Sequence, residues 1–319
     1  MMGTGTIASE HIVAAIRASG HNPRWVVSSS KKYAKHFSED MSILNASTDA
    51  RRALEDPLVR FVYVSAARQR RKHYIVAAAT AKKHVLCDWP ISDRSRVASS
   101  LVAECEKAGV TLAVYQPLRS STIHQTMRRL LLEGEIGALQ SILIIRAAPF
   151  QPHPNRRTDH AMPGDILLNA SLEDIDLARF LTGREPVEVT SLPSEAAGDP
   201  RQQTAYAIRM TGNVVFQAYE SFSTTELESV VMLAGDHGAL IAHSTLNNKG
   251  LGTLVRRTAT RSELIPVRER DPHHTMIKGF LSSIHCPSEW VCLGKDNVVA
   301  LKAVEAIVAA QKKRRTIIF

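Results

Sequence analysis

Aromatic residues make up only 5% of the chain, cysteines number four, and no apolar run approaches the roughly 20 residues needed to cross a bilayer. Cys87, Cys105, Cys286 and Cys292 form no CxxC pair, so the spacing suggests no zinc site, and a reducing cytoplasm is the natural location. The opening MMGTGTIASEH carries neither the basic nor the apolar region of a signal peptide. No GxSxG or HExxH pattern is present, which removes the usual hydrolase signatures. Lys and Arg total 40 against 31 Asp and Glu, a formal charge of +9. With so few aromatics to stack on bases, that excess fits a solvated basic face or an anionic ligand better than nucleic acid. Its densest clusters are Arg68-Gln69-Arg70-Arg71-Lys72 and Lys312-Lys313-Arg314-Arg315. The latter ends a predicted last helix, where cations suit the helix dipole.

The 319 residues, 44% hydrophobic and 22% charged, suffice for two domains with sizeable cores. Helix and strand patterns alternate through the first third. Predicted helices cover 9–19, 31–37, the stretch after the N-cap Asp49, 69–81 and 93–108; predicted strands cover 25–27, 61–64, 83–87 and 110–114. Strands separated by helices imply a parallel sheet with right-handed crossovers. After about residue 118 the pattern changes. Helix 120–133 leads through Gly134-Glu135-Ile136-Gly137 to strand 139–146, and 149–163 reads as a loop rich in Pro, His and Arg. Helix 170–181 is closed by Gly183. Strand-like runs then follow at 187–191, 204–210, 214–220, 230–233 and 239–242 without helices between them, which predicts an antiparallel sheet. Helices near 274–285 and 295–312 finish the chain. The expected fold is therefore α/β: a parallel, Rossmann-like domain over 1–117 and an α/β domain with a large, mostly antiparallel open sheet over 118–319.

Two stretches carry chemistry. Gly3-Thr4-Gly5-Thr6-Ile7-Ala8 opens a helix, the context in which a G-x-G-x-x-G/A turn lets a pyrophosphate approach the helix amino terminus. The strand of KKHVLCDWPIS runs into Asp88-Trp89-Pro90, leaving a carboxylate and an indole at the strand's carboxyl end, where open α/β sheets bind ligands. The block VRFVYVSAARQRRKHYIVAAATAKKHVLCDWPIS resembles, without a gap, a hallmark of the Gfo/Idh/MocA oxidoreductases. The likeness continues through Arg119, Gly134–Gly137, GDILLNASLEDIDLARFLTG and ALKAVEAIVAAQKKRRTI. It implies a nicotinamide-dependent enzyme acting on a sugar, a cyclitol or a related carbonyl or alcohol. It also implies a C-terminal sheet that forms homodimers or homotetramers. Carried over by position, the cofactor would be held by Gly3, Thr4, Gly5, Thr6, Ile7, Ser28, Ser29, Ser30, Ser65, Ala66, Ala67, Arg68, Asp88 and Trp89. Ser28-Ser29-Ser30 with Lys31 and Lys32 stand where an NAD-preferring strand usually ends in an acid. Hydroxyls and ammonium groups suit a 2′-phosphate, so NADP is expected over NAD; the alternative is a solvated serine-rich turn.

Four positions depart from the resemblance. The family corner reads Glu-Lys-Pro, and its proton-relaying lysine is Trp89 here, whose N–H does not titrate. The family's Asp, His and Asp on the helix are Asn169, Glu173 and Asp176. These three share a helical face, but the neutral-pH proton exchanger is gone. Glu173 replaces it if burial raises its pKa; otherwise it is a solvated helix acid, the simpler expectation, and the same holds for Asp174. Asn169, Glu173, Asp176 and Trp89 are the catalytic candidates, with Arg119, Glu173 and Asp176 facing substrate. A family Pro and His become Ala67 and Arg71, a basic helix start that calls for an anion nearby, and a family Asn becomes Pro117. Finally, only Met1 and Met2 precede the glycine turn, where a full central strand is expected; its loss would orphan ladder groups on both neighbours, which favours a start upstream. His153 and His160, in the long loop, are candidate replacement proton donors. His273-His274 lack metal-ligand spacing and are expected to open a helix in solvent. Two readings result: an NAD(P)-dependent oxidoreductase with a small-molecule substrate, or a degenerate relative that binds cofactor or ligand as a sensor or subunit.

Overall fold

The computed structural model describes all residues except 148–165, 193–201, 225, 247–250 and 287. The described chain divides into two compact units, one of residues 1–116 and 273–298, the other of the described residues within 117–147, 166–272 and 299–319.

In the first unit, short apolar runs form parallel strands β1 (Trp25–Val27), β2 (Asn45–Ser47), β3 (Phe61–Val64), β4 (His84–Asp88) and β5 (Leu112–Tyr115). β1 pairs with β2, and β3, β4 and β5 pair in that order. Between the two groups lies the start of the chain: Met2 bridges both Val27 and Val64. Its neighbours complete the ladder, with Gly3 N–H donating to Val27 O at 2.8 Å, Val27 N–H to Met1 O at 2.9 Å and Ser65 N–H to Met2 O at 2.9 Å. The ladder groups expected to be orphaned are thus satisfied at Val27, Tyr63 and Ser65. Helices α1 (Val13–Ala18), α2 (Lys31–Asp40), α3 (Ala50–Leu54), α4 (Arg68–Thr80) and α5 (Ser95–Ala108) connect the strands. Asp49 caps α3 by accepting from Arg51 N–H, and Gly109 ends α5 at φ 69°. β2 escapes sequence reading because Asn-Ala-Ser has no apolar run; backbone pairing with β1 alone defines it.

The core of this unit joins Ile12, Ile16, Tyr63, Leu86 and Tyr115 to Met276, Ile277 and Phe280 of a late helix, Pro272–Ser283. The expectation of solvent-facing His273 and His274 is corrected here. Both are half-buried, and His273 stacks on His11 at 4.0 Å between ring centroids. Apolar residues every three to four positions along that helix turn its opening towards the core rather than to water.

The second unit holds α6 (Pro117–Ser120), α7 (Thr122–Leu132), β6 (Leu139–Ala147), α8 (Leu172–Thr182), β7 (Pro186–Leu192), β8 (Gln203–Met210), β9 (Val215–Ser221), β10 (Val230–Gly235), β11 (Ala239–His243), β12 (Thr253–Arg257) and β13 (Ser262–Ile265). α9 is the Pro272–Ser283 helix of the first unit, and α10 (Gly294–Lys313) leads to β14 (Ile317–Ile318). One nine-stranded sheet runs β13-β12-β11-β10-β6-β9-β8-β7-β14. It is mostly antiparallel, as the helix-free run of strands implies, with one parallel pair, β6 with β9. Alternation sets its faces: Ile142, Ile144, Phe216, Ala218, Val231 and Leu233 are buried, while the intervening side chains point the other way. β12, β13 and β14 are additions to the sequence reading; Arg256, Arg257 and Glu263 dilute the apolar signal of the first two, and β14 is only two residues long.

Candidate active site

The glycine turn tightens where it crosses β3. Gly3 has φ +112°, and a Cβ there would lie 2.6 Å from Ala66 N and 2.7 Å from Ser65 C, so only glycine fits. At Gly5 a Cβ would meet Ser65 O at 3.1 Å. Thr4 and Thr6 follow this turn, and Ile7 leads into a π-helical turn, Ala8–Ile12, before α1. The first amides of such a helix have no partner within it and present a positive end to an anion. At the ends of the neighbouring strands, Ser28 is buried, Ser29 exposed, and Ser30 starts α2 without a side-chain cap bond. Lys31 and Lys32 are exposed beside it. Ser65 Oγ and both amide atoms of Gln116, buried at the carboxyl ends of β3 and β5, have no hydrogen-bond partner. Buried polar atoms are rarely left unsatisfied in a finished site. These orphans, with the glycine cradle, fit a dinucleotide.

The Asp-Trp-Pro corner between them is rigidly held. Asp88 accepts a hydrogen bond from Tyr63 OH, and burial together with the Asp88 charge holds the Tyr63 phenol well above its usual range. Arg71 donates through Nε to Ala66 O at 3.0 Å and through Nη1 to Asp88 O at 2.9 Å and to Pro90 O. The anion expected beside Arg71 is thus the chain's own Asp88 carboxylate, at 3.9 Å, joined by three backbone carbonyls. Arg68 pairs with Asp93 at 3.6 Å. Ala66 is buried and Ala67 precedes α4. The Trp89-Pro90 peptide bond is cis, and the half-buried indole stacks on Tyr115 at 6.1 Å and 22°. Tyr115 in turn hydrogen-bonds His273 Nδ1.

In the second unit, four carboxyl groups crowd around two arginines. α8 is entered through a π-helical turn, Leu167–Ser171, on which Asn169 sits half-buried. Arg119 grips Asp176 with two parallel bonds, Nε to Oδ2 at 2.7 Å and Nη2 to Oδ1 at 2.6 Å. Arg146, near the end of β6, donates from Nε to both oxygens of Asp174 at 3.0 Å. From Nη1 it reaches Leu246 O at 3.2 Å, and from Nη2 it reaches Glu173 Oε2 at 3.1 Å. Glu220 accepts from Tyr206 OH at 2.7 Å and from Ser171 OH. Burial first, then the Asp174 charge, raises the Glu220 carboxyl well above its usual range.

Glu173 corrects the simpler expectation. It is 2% exposed rather than solvated, and Asp174 is fully buried. Burial pushes the Glu173 carboxyl up to about 7; Arg146 opposes this, and Asp174 and Asp176 add to it. Its Oε1 has no hydrogen-bond partner. The cluster thus contains one carboxyl that burial raises towards neutrality and that has one oxygen without a hydrogen bond.

Sequence reading placed Arg119, Glu173 and Asp176 together and located the strand ends of the first unit. It missed Gln116, Arg146 and Glu220. Glu220 was legible in principle, because alternation in VFQAYES puts it on the buried face with Phe216 and Ala218. Arg146 was signalled only by a charge closing the apolar run ILIIR. Gln116 had no signal beyond following β5. His153 and His160 lie outside the described residues. Among the described residues no group of three or more His, Cys, Asp or Glu could hold a metal ion.

A parallel sheet entered by a glycine turn, with unsatisfied polar atoms at its carboxyl ends, defines a dinucleotide-binding Rossmann unit. Residues 1–116 match the oxidoreductase family with an NAD-binding Rossmann fold, and residues 124–241 match the Gfo/Idh/MocA C-terminal domain. The chain belongs to the Gfo/Idh/MocA oxidoreductases. It is similar to a 1,5-anhydro-D-fructose reductase of Ensifer adhaerens, 28% identical over 316 residues covering 97% of this chain and 95% of that protein. A myo-inositol 2-dehydrogenase of Thermotoga maritima is 27% identical over 155 residues, 49% of this chain and 46% of the relative. The fold matches an aldose-aldose oxidoreductase of Caulobacter crescentus with a TM-score of 0.88 at 20% identity, covering 100% of this chain and 98% of the other.

Proposed function

We propose that the chain is an NAD(P)-dependent dehydrogenase or reductase of a sugar, cyclitol or related polyol, with Glu173 exchanging the hydroxyl proton. The observation that carries this reading is Glu173 itself, a buried carboxyl titrating near 7 with Oε1 unpartnered. Its value lies close to the operating pH, where an acid–base group works in both directions. In the oxidative direction Glu173 takes the proton of the substrate hydroxyl, and in the reductive direction it returns that proton to the carbonyl oxygen. Bound NAD(P) supplies or accepts the hydride. The glycine turn from Gly3 to Ile7, Ser65, Asp88 and the Ala66–Arg68 segment hold the dinucleotide. Arg119 and Asp176, locked together, and Asn169 orient substrate hydroxyls. Trp89 offers a flat indole and no titrating proton. The similar proteins named above, an anhydro-sugar reductase and a cyclitol dehydrogenase, support a polyhydroxylated ring.

For the cofactor, Ser29, Ser30, Lys31 and Lys32 at the amino end of α2 favour NADP over NAD. For assembly, the open sheet face suits a second copy of the chain. Leu143, Met232, Ile241, Val255 and Leu264 are direct neighbours in one row across five strands; Ile241 is buried, Leu143, Met232 and Val255 are half-buried, and Leu264 is 63% exposed.

The test is a turnover screen of sugars, cyclitols and bilins with both reduced and oxidised cofactors, run beside calorimetric cofactor titrations. Turnover by the natural sequence and a loss of about 10²–10⁴-fold in Glu173→Gln support the enzyme. Cofactor binding without any turnover supports the sensor instead, a reading favoured by the indole of Trp89 packed on Tyr115 in place of a lysine. Tighter binding of NAD than of NADP would refute the cofactor preference. A monomer by light scattering would refute the sheet interface.

A further inference from the structure

Gln116 follows β5 directly, is 1% exposed, and has neither an acceptor for Nε2 nor a donor for Oε1. Such an arrangement is unfavourable in the ligand-free protein, since a primary amide withdrawn from water forfeits all its hydrogen bonds. Leucine would fill the same space without that penalty. The ladder fixes where the amide lies: Asp88 pairs with Tyr115, so Gln116 stands one residue beyond the pair that opens the Asp-Trp-Pro corner. It shares this carboxyl end with Ser65, the other residue there whose buried polar atom is orphaned. Asp88, by contrast, is engaged by Tyr63 and Arg71, and Trp89 by Tyr115. A neutral group with one donor end and one acceptor end calls for a neutral partner with the same pair reversed, not for a phosphate or a carboxylate.

We propose that Gln116 positions the nicotinamide ring by pairing amide to amide with its carboxamide, Nε2 donating to the carboxamide oxygen and Oε1 accepting from the carboxamide NH₂. The inference rests on the NAD(P) reading above. Two reciprocal bonds fix which face of the ring is presented, which a single bond would not. Gln116 is a positioning residue and takes no part in proton or hydride movement.

Calorimetric titration of Gln116→Leu and the natural sequence with NADPH, NADH, ADP-ribose and 2′-phospho-ADP-ribose tests this, because the last two lack the nicotinamide. The expected result is a loss of about 10–100-fold for the dinucleotides, with ADP-ribose and its phosphate within about twofold. The melting temperature of the ligand-free variant should equal or exceed that of the natural protein. Equal losses for all four ligands, or no loss for any, would overturn the role of Gln116 while leaving the cofactor reading intact. Absence of binding by the natural protein to all four would remove the cofactor reading itself, and the inference with it. Should the variant not fold, the natural protein alone still decides. It should bind the 3-acetylpyridine analogue of the dinucleotide, which keeps the carbonyl but lacks the NH₂, about 5–10-fold more weakly than the parent. Equal binding of the two would overturn the proposal.

Discussion

Two sites, one in each unit, bury polar side chains in opposite ways. At the carboxyl ends of β3 and β5 the buried groups are neutral and short of partners: Ser65 has an idle hydroxyl and Gln116 an idle amide. Beneath the sheet of the second unit they are charged and crowded. Arg146 serves Glu173, Asp174 and a backbone carbonyl, Arg119 is matched to Asp176, and among the described residues of this unit only Glu173 Oε1 is left over. The difference teaches that the first site is short of partners without a ligand, whereas the second is nearly complete alone and sensitive to the loss of any member. A neutral orphan can be deleted cheaply; a buried charge cannot.

Breaking the charged cluster should have the largest effect. Arg146→Met leaves Glu173 and Asp174 without their cation, and urea denaturation should show a loss of about 3–5 kcal/mol. Next comes the pH dependence of stability. Glu173 binds its proton more tightly folded, at about 7, than its ordinary 4.5, so its contribution is complete below 4.5 and is lost as pH rises through 7. His124, buried between Leu118 O and Thr245 Oγ1 and pushed down to about 4 by burial, acts in the opposite sense. Its contribution is present above 6.5 and is lost as pH falls towards 4. Denaturation of Glu173→Gln at pH 5 and pH 8 should therefore show a gain relative to the natural protein at the higher pH, on the order of 3 kcal/mol at most.

Gly3→Ala tests whether the first unit is pliable only where ligand is expected. The Cβ would strike the Ser65–Ala66 backbone, and a destabilisation of about 2 kcal/mol is expected in thermal or urea unfolding. The smallest effect belongs to Ser65→Ala, which removes an unpaired hydroxyl. Stability should change by less than about 1 kcal/mol while cofactor affinity falls, a contrast that sharpens the comparison with Arg146.

Much of the architecture could be read from pattern. Asp49 announced its helix, Gly183 ended α8, and alternating strand and helix periods gave the parallel sheet. The sites were legible to the extent that a backbone turn or a helical spacing encodes them, as with Gly3, Gly5 and the Asn169–Glu173–Asp176 series. What failed was burial. Glu173 and Asp174 look like ordinary helix acids because their environment is set by Arg146, which lies 27 and 28 positions away in another element. Arg71 looks as if it awaits an anion because sequence does not reveal the three carbonyls and the Asp88 carboxylate around it. His273 looks solvated because its companions, His11 and Tyr115, come from the first unit's opening helix region and its last strand. In each case the missing information is a contact between residues distant along the chain, which local periodicity does not carry.

The placement of β6 bears on how the sheet assembles. β10 to β13 form one meander of neighbouring hairpins and β7 to β9 another, each able to grow from contacts close along the chain. β6 is the seam between them, antiparallel to β10 and parallel to β9. Its pairing closes a loop across α8 and the β7–β9 meander, and β14 closes a longer one onto β7, so the sheet is completed by nonlocal contacts.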